Sequence, residues 1–279
     1  MHDSKFNGHD YPLGHSEHEQ QRLMNQGRFF GDLTERLFRD AGIGPGKCVL
    51  DLGCGVGDVS LIAASLVGPA GSVIGIDRAP EALETATRRV RQAGLTNVRF
   101  IQHDLNNLEA LAFDAPLDAV IGRMVLMYLP QPARVLRGLR RWIRKGGVVA
   151  MQEMDVHSPK AEPRCPLYEV TSARLLQTML RAGVDTMTAM KLGQIFVQAG
   201  LPTPQMLYSA RAERGRDSWA YDAVAGITRT LLPMMERFSV ASAAEIDIDT
   251  LAARLREEAV GLDATLVAPP FMSAWCRIQ

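Results

Sequence analysis

The sequence carries no excess of charge, few cysteines and no long apolar run. Lys and Arg number 31 and Asp and Glu number 31, so the formal net charge is zero. Without a basic field the chain has little to hold a phosphate backbone, and nucleic acid is not an expected partner. The four cysteines, Cys48, Cys54, Cys165 and Cys276, are scattered, with no C-x-x-C pair. That spacing argues against disulfides and structural zinc and fits a reducing cytoplasm, the expected compartment. No stretch approaches the roughly 20 apolar residues that a bilayer crossing needs, so no membrane partner is expected. Met1 to Asp10 is polar, and no secretory signal is expected of it. Tyrosines number five against thirteen methionines, a balance that suits pliable core filling. What the chain does have is 279 residues, 47% of them hydrophobic, enough to bury one large α/β domain or a domain with a lid.

One stretch organises the rest. Cys48 to Leu52 has the length and apolar content of a buried strand, and Gly53, Gly55 and Gly57 follow at alternate positions. A helical pattern, Val59 to Leu66, comes next. Strand, glycine turn and helix bring backbone N–H groups and a helix N-terminus against a ligand, where side chains would block approach. This predicts a nucleotide-type cofactor site.

Around it, strands and helices alternate. The pattern predicts further strands over Ser72–Ile76, Asn97–Gln102, Leu117–Gly122 and Val148–Glu153, with helices from Pro80 and over Gln131–Arg144. Such alternation implies a parallel sheet with helices on both faces, whose ligands sit at the carboxyl ends of the strands. Upstream, Ser16 and Glu19 read as a capping box opening a helix to about Ala41, with Glu19, Arg22 and Gln26 on one face. Downstream of Asp155, helices are expected over Leu167–Ala182, Thr186–Ala199, Asp217–Phe238 and Ala244–Val260, with strands at Gln205–Ala210 and Phe271–Arg277. The expected organisation is an N-terminal lid helix over 1–45 and a domain over 46–279. Substrate-lid insertions in that domain are placed at about 156–203 and 212–262.

A dinucleotide fingerprint, G-x-G-x-x-G, needs a third glycine where Asp58 stands here. Asp51, just before the turn, would repel a pyrophosphate but suits an ammonium. Asp77 ends the second strand, where it can accept from two ribose hydroxyls, and Asp104 ends the third, where it can accept from an exocyclic amine. A cation, a ribose and an adenine amine without phosphate describe S-adenosylmethionine better than NAD.

Asp51-Leu52-Gly53-Cys54-Gly55-Val56-Gly57 resembles the first motif of class I S-adenosylmethionine-dependent methyltransferases. Asp77 and His103-Asp104-Leu105 match that superfamily's second and third acidic positions, over about residues 47–155. The resemblance implies a Rossmann-like, seven-stranded, mostly parallel sheet whose last strand is antiparallel and lies between strands five and six. It implies Asp51 and Gly53 at the methionine part, Asp77 at the ribose, and Asp104 and Leu105 at the adenine; Gly55 and Arg78 are also expected to bind the cofactor. Tyr11, Gly14-His15, Glu19, Arg22 and Gln26, with the strand-four exit Arg123 to Pro130, are similar to small-molecule methyltransferases of specialised metabolism. There Arg22 would reach the methionine carboxylate with Gln26 nearby; Arg123, a cofactor-binding candidate at the end of strand four, either lines the pocket or pairs with a surface carboxylate.

Displacement at a sulfonium methyl has an excellent leaving group, so alignment of acceptor, methyl and sulfur is the main task. A base is needed only where the acceptor carries a proton that must leave. Tyr11, His15 and Tyr128 are the chosen catalytic candidates, with His18, Glu153, Asp155 and His157 also near the expected mouth. Glu153 and Asp155 lack a carboxylate partner at the end of strand four, so no metal is expected. The expected acceptor is a small organic molecule, aromatic or indole-like, methylated on C, N, O or S; a quinone ring is the rival. A catalytically silent cofactor-binding protein is the alternative class, and a homodimer stays open.

Overall fold

A computed structural model describes residues 17–108 and 111–279, with the side chains of residues 17 and 18 left aside. Tyr11, His15 and Ser16 lie outside the described residues. The chain begins with α1 (Glu17–Asp40), β1 (Cys48–Leu52), α2 (Asp58–Val67), β2 (Ser72–Asp77), α3 (Pro80–Gln92) and β3 (Val98–Gln102). It continues through β4 (Leu117–Arg123), α4 (Pro132–Leu139), β5 (Ile143–Met154), β6 (Lys160–Glu162), α5 (Pro166–Arg181) and α6 (Thr188–Gln198). It closes with β7 (Gln205–Ser209), β8 (Ala212–Arg214), α7 (Ala220–Arg237), α8 (Ala243–Ile246), α9 (Leu251–Gly261), β9 (Thr265–Val267) and β10 (Phe271–Arg277).

The described residues form two units. The first, Leu23–Glu153 with Thr188–Tyr208 and Met272–Gln279, is built on a seven-stranded sheet in the order β3-β2-β1-β4-β5-β10-β7. β1 pairs in parallel with β2 and β4, and β2 pairs in parallel with β3. β10 runs antiparallel beside β5: the Gly146 amide donates to the Ile278 carbonyl and, further along, the Asp155 amide donates to the Pro270 carbonyl. This is the Rossmann-like sheet expected, with the last strand inserted before the edge.

Alternation along β1 divides its side chains between two cores. Val49 joins Phe38, Ala63, Val67, Val73 and Ile121 on one face. Leu50 and Leu52 join Ile74, Ile76, Val120, Val149 and Phe196 on the other. By the same alternation Asp51 shares the Val49 face, toward α2. α3 illustrates the local code: Pro80 occupies its first turn, with Glu81 in that turn and Arg89 and Arg91 in the last. Those charges complement the helix dipole at both ends.

Three expectations shift. The helix expected to reach Arg144 ends at Leu139, and β5 starts at Ile143 rather than Val148. Gly146-Gly147 reads as a turn in sequence. Here the Ile278 amide donates to the Gly147 carbonyl, so the strand runs through the glycines against β10. The helix expected over 244–260 breaks into α8 and α9 because Asp247 takes φ 46°, a left-handed value that ends a helix. A small sheet, β6-β9-β8, went unread because its three-residue strands are too short to show a period.

The second unit takes residues 17–22, Met154–Met187 and Ser209–Phe271. Its core gathers Tyr168, Tyr221, Leu231, Met235, Leu255 and Leu266 from α5, α7, α9 and the small sheet. α6 belongs instead to the sheet unit, where Leu192, Ile195 and Phe196 enter the core beside α4. Among the described residues, no helix is long and apolar enough to cross a membrane.

Candidate functional site

The glycine turn leaves β1 with φ values of 59°, 51° and 85° at Gly53, Gly55 and Gly57. These are left-handed values that other residues adopt at a cost. Two of the three are also closed to a side chain. A Cβ on Gly53 would lie 2.5 Å from Val125 Cγ2, and one on Gly57 would lie 3.1 Å from Ala86 Cβ. At Gly55 a Cβ would meet nothing within 4 Å, so the middle of the turn is open above its backbone.

Two acidic groups lie next to the turn. Asp51 is fully buried, with Oδ2 accepting from the Ser60 hydroxyl at 2.6 Å. Its Oδ1 is buried with no hydrogen-bond partner among the described residues. A buried carboxylate oxygen left unpaired costs free energy unless a ligand or proton meets it. Burial raises the Asp51 carboxyl to about 7, against the lowering influence of Ser60 and Arg123. Asp77 is half-buried, and both its oxygens are held by backbone: the Gly55 amide donates to Oδ2 at 2.8 Å and the Ala79 amide to Oδ1 at 2.9 Å. Each oxygen keeps acceptor capacity beyond that bond. The carboxylate is thus fixed and still able to bind.

The remaining cofactor candidates divide. Asp104 is exposed after β3, with Oδ1 accepting from the amide and side chain of Asn106, both at 2.9 Å. Leu105 beside it is buried in the core under the sheet. Arg78 is half-buried, and its carbonyl accepts from Gln102. Gln26 Nε2 lies 3.8 Å from Met124 Sδ, beside the strand-four exit. Arg123 is buried and donates to Thr34 Oγ1 at 3.1 Å. Thr34 in turn donates to Gln152 Oε1 at 2.7 Å. Burial lowers the Arg123 pKa, while Asp58 and Asp51 oppose the shift. Tyr128 ends a single 3-10 turn, Leu126–Tyr128, and is half-buried.

Arg22 stands in the second unit. Its guanidinium is bidentate on Glu19, at 2.7 and 2.6 Å, and Thr230 also donates to Glu19 at 3.0 Å. Glu19, read as a cap, is thus a buried ion-pair partner. Asp155 and His157 belong to that unit as well. Asp155 accepts from the His157 amide and the Ser158 hydroxyl, and the His157 ring meets Thr186 Oγ1 at 3.0 Å.

Several contributors have no sequence signal. Ser60 holds Asp51 from nine residues away, across the turn. Asp58, read only as a departure from the dinucleotide pattern, pairs with Arg89 at 2.6 Å. Gly27 lets α1 approach that carboxylate: a Cβ there would sit 2.5 Å from Asp58 Cγ. Helical spacing in α1 shows a face, but not what the face meets.

A family described as "Methyltransferase domain" matches residues 43–200, more than half of the chain. The chain belongs to this methyltransferase-domain family. The match spans the glycine turn, Asp77, Asp104 and β5, the elements that frame the opening. Among relatives, an arsenite methyltransferase of Halobacterium salinarum is 35% identical over 119 residues, 43% of this chain and 30% of that protein. A demethylmenaquinone methyltransferase of Lactococcus lactis is 30% identical over 158 residues, 56% of this chain and 54% of that protein. The chain spans about half or less of the length of these curated relatives. Among solved structures, the YcgJ protein from Bacillus subtilis has a TM-score of 0.54 at 17% identity, covering 88% of this chain and 98% of that one. That likeness shows the fold of this methyltransferase domain.

Proposed function

We propose that the chain transfers a methyl group from S-adenosylmethionine to a small organic acceptor. The observation that carries this reading is Asp51: a fully buried carboxyl, two residues before the glycine turn, with one oxygen that no described residue satisfies. Its partner must be cationic or protic, which suits an amino-acid ammonium and repels a diphosphate. Asp77, held by two backbone amides, suits the ribose hydroxyls. Asp104 is assigned to the adenine amine, Leu105 to the base, and Gly53 and Gly55 to the backbone approach. Arg78, Gln26 and Arg123 are assigned to the rim. Arg22 is assigned to the carboxylate only if it leaves Glu19.

The bound cofactor supplies a methyl group on a positively charged sulfur. The chain's own residues would hold the cofactor's ammonium at Asp51 and its ribose on Asp77, and so set the line of attack. Where the acceptor carries a proton, Tyr128, Tyr11 or His15 takes it.

The ionisation of Asp51 gives the reading a signature. Burial holds the carboxyl protonated up to about pH 7, and an ammonium requires it ionised. Affinity for S-adenosylhomocysteine should therefore rise with pH toward about 7 and level off above it. Calorimetry in buffers of different ionisation enthalpy should register proton release below that point, and Asp51→Asn should abolish it. Stability runs the other way: the raised carboxyl stabilises the fold below about pH 4 and loses that contribution as pH rises through about 7. A flat affinity profile in the unaltered protein would remove Asp51 from the ammonium.

An aromatic or indole-like specialised metabolite is the leading acceptor. A quinone ring is the second reading, favoured by the likeness to the Lactococcus lactis protein. Arsenite is disfavoured. Arsenic(III) seeks thiolates, yet burial pushes Cys276 up to about 11 and raises the thiols of Cys54 and Cys165. Isotope-labelled S-adenosylmethionine, offered with a metabolite extract, with a demethylated naphthoquinone and with arsenite, tests the assignment. Label is expected in an organic product. Tight cofactor binding with no labelled product from any pool would make the protein a silent binder.

A further inference from the structure

The strand-four exit is fastened to β5 at three consecutive residues. The Met124 amide donates to the Gln152 carbonyl at 2.8 Å. The Val125 and Leu126 amides donate to Glu153 Oε1 at 3.1 and 2.9 Å. Leu126 opens the 3-10 turn, so these are amides that the turn itself leaves without partners. Met124 takes φ 52°, an unfavourable value for a side chain with a Cβ, and it is held there between two anchored neighbours. Glu153 is fully buried, and its Oε2 has no hydrogen-bond partner among the described residues. A buried carboxyl is an expensive way to cap one short turn, since a smaller polar group would satisfy the same amides at less desolvation cost.

Val125 connects this anchor to the cofactor turn. Its two methyl groups fill the space that Cβ atoms on Gly53 and Gly122 would take, with Cγ2 2.5 Å from the first such position and Cγ1 2.9 Å from the second. The side chain is a wedge seated between the first glycine of the turn and the end of β4. Its backbone is fixed by Glu153 and its side chain bears on Gly53.

We propose that Glu153 is a positioning residue for the cofactor: it holds Val125 as a wedge against Gly53 and so fixes the glycine turn in its binding conformation. Glu153 touches no reacting group. It acts through one main-chain anchor and one side chain, which makes the coupling measurable. The inference rests on the cofactor reading above.

The test is calorimetric titration of S-adenosylhomocysteine into the full chain and three variants. Glu153→Leu removes the acceptor at similar volume and should weaken binding at least about tenfold. Glu153→Gln keeps an oxygen for the two amides and should stay within about threefold of the unaltered protein. Val125→Ala removes the wedge and leaves the anchor. It should weaken binding at least about threefold, and in its background Glu153→Leu should add little. That non-additivity separates positioning from a general loss of stability. Should Glu153→Leu fail to fold, Val125→Ala decides by itself: unchanged affinity overturns the proposal. Folded Glu153→Leu that binds like the unaltered protein overturns it too, as do strictly additive effects. If the unaltered chain binds no S-adenosylhomocysteine, the cofactor reading fails first and the wedge has no turn to position.

Discussion

Replacing Asp77 by alanine should weaken S-adenosylhomocysteine binding by at least about 1.5 kcal/mol, roughly tenfold or more. The magnitude follows from what the side chain does. Its two oxygens are each held by one backbone amide, Gly55 at 2.8 Å and Ala79 at 2.9 Å. On the proposed assignment the remaining lone pairs would accept from the two ribose hydroxyls, and bonds to a charged acceptor are worth more than neutral ones. Removing the carboxylate also frees the Gly55 amide, so the turn loses a tether at the point where it opens. Asp77→Asn keeps one acceptor oxygen and should fall between alanine and the native residue. Adenosine should suffer the same loss as the full cofactor, because it carries the same ribose. Undiminished affinity in a folded Asp77→Ala protein would withdraw the ribose assignment.

The second large effect is on the fold itself. Gly53→Ala should destabilise the protein by about 2–4 kcal/mol, the sum of a left-handed conformation forced on alanine and an overpacked contact. Gly53 takes φ 59°, and a Cβ there would sit 2.5 Å from Val125 Cγ2. Val125 is buried and anchored through its amide to Glu153, so it has little room to yield. Thermal unfolding should show a melting temperature lower by at least about 5 °C. Gly55→Ala makes the internal control. It carries a similar backbone strain at φ 51° but meets nothing within 4 Å, so it should cost less stability and chiefly disturb ligand approach. Equal stability losses at the two positions would show that backbone strain alone, and not the wedge, governs Gly53.

Asp51 and Glu153 share a physical condition. Both are buried carboxyls with one unpaired oxygen, and desolvation raises both to about 7. They differ in what their bound oxygen serves. Asp51 is held by the Ser60 hydroxyl, which leaves the other oxygen for a ligand at the turn. Glu153 is committed to backbone amides and shapes the segment beside the turn. Near neutral pH both change charge, so binding measured across that range reports on two groups. The Asp51→Asn and Glu153→Gln variants separate them.

The legible parts of this chain were the local ones. An apolar run of five residues, glycines at alternate positions and a helix directly after them specify a strand, a turn and a helix whatever the rest of the chain does. Acidic residues at the ends of β1 and β2 follow from the same reading, since a parallel sheet gathers its strand ends on one edge. The strand–long insertion–strand ending already suggests an antiparallel final strand, and the family likeness adds its place between strands five and six.

What sequence does not show is which partner each charged side chain takes. Arg22 was assigned to a carboxylate of the ligand, and the structure pairs it with Glu19, three residues before it. Helical spacing shows both choices equally well, because i to i+3 neighbours and a shared exposed face look alike in sequence. Glu153 was read as a candidate base near the mouth. Only the fold reveals that its oxygen is spent on Val125 and Leu126, 28 and 27 residues earlier. Gly146-Gly147 reads as a turn into the fifth strand, but antiparallel pairing with β10 carries β5 through it.

The sequence by itself determined the Rossmann-like order of elements and the cofactor turn, because those rest on short-range periodicity and on the backbone freedom of glycine. The tertiary structure decided which charges are spoken for and which are free. Asp51 keeps an open oxygen, Arg22 is engaged by Glu19, and Glu153 reaches the turn through Val125. Burial and pairing are properties of distances between segments, and those distances exist only once the sheet has formed.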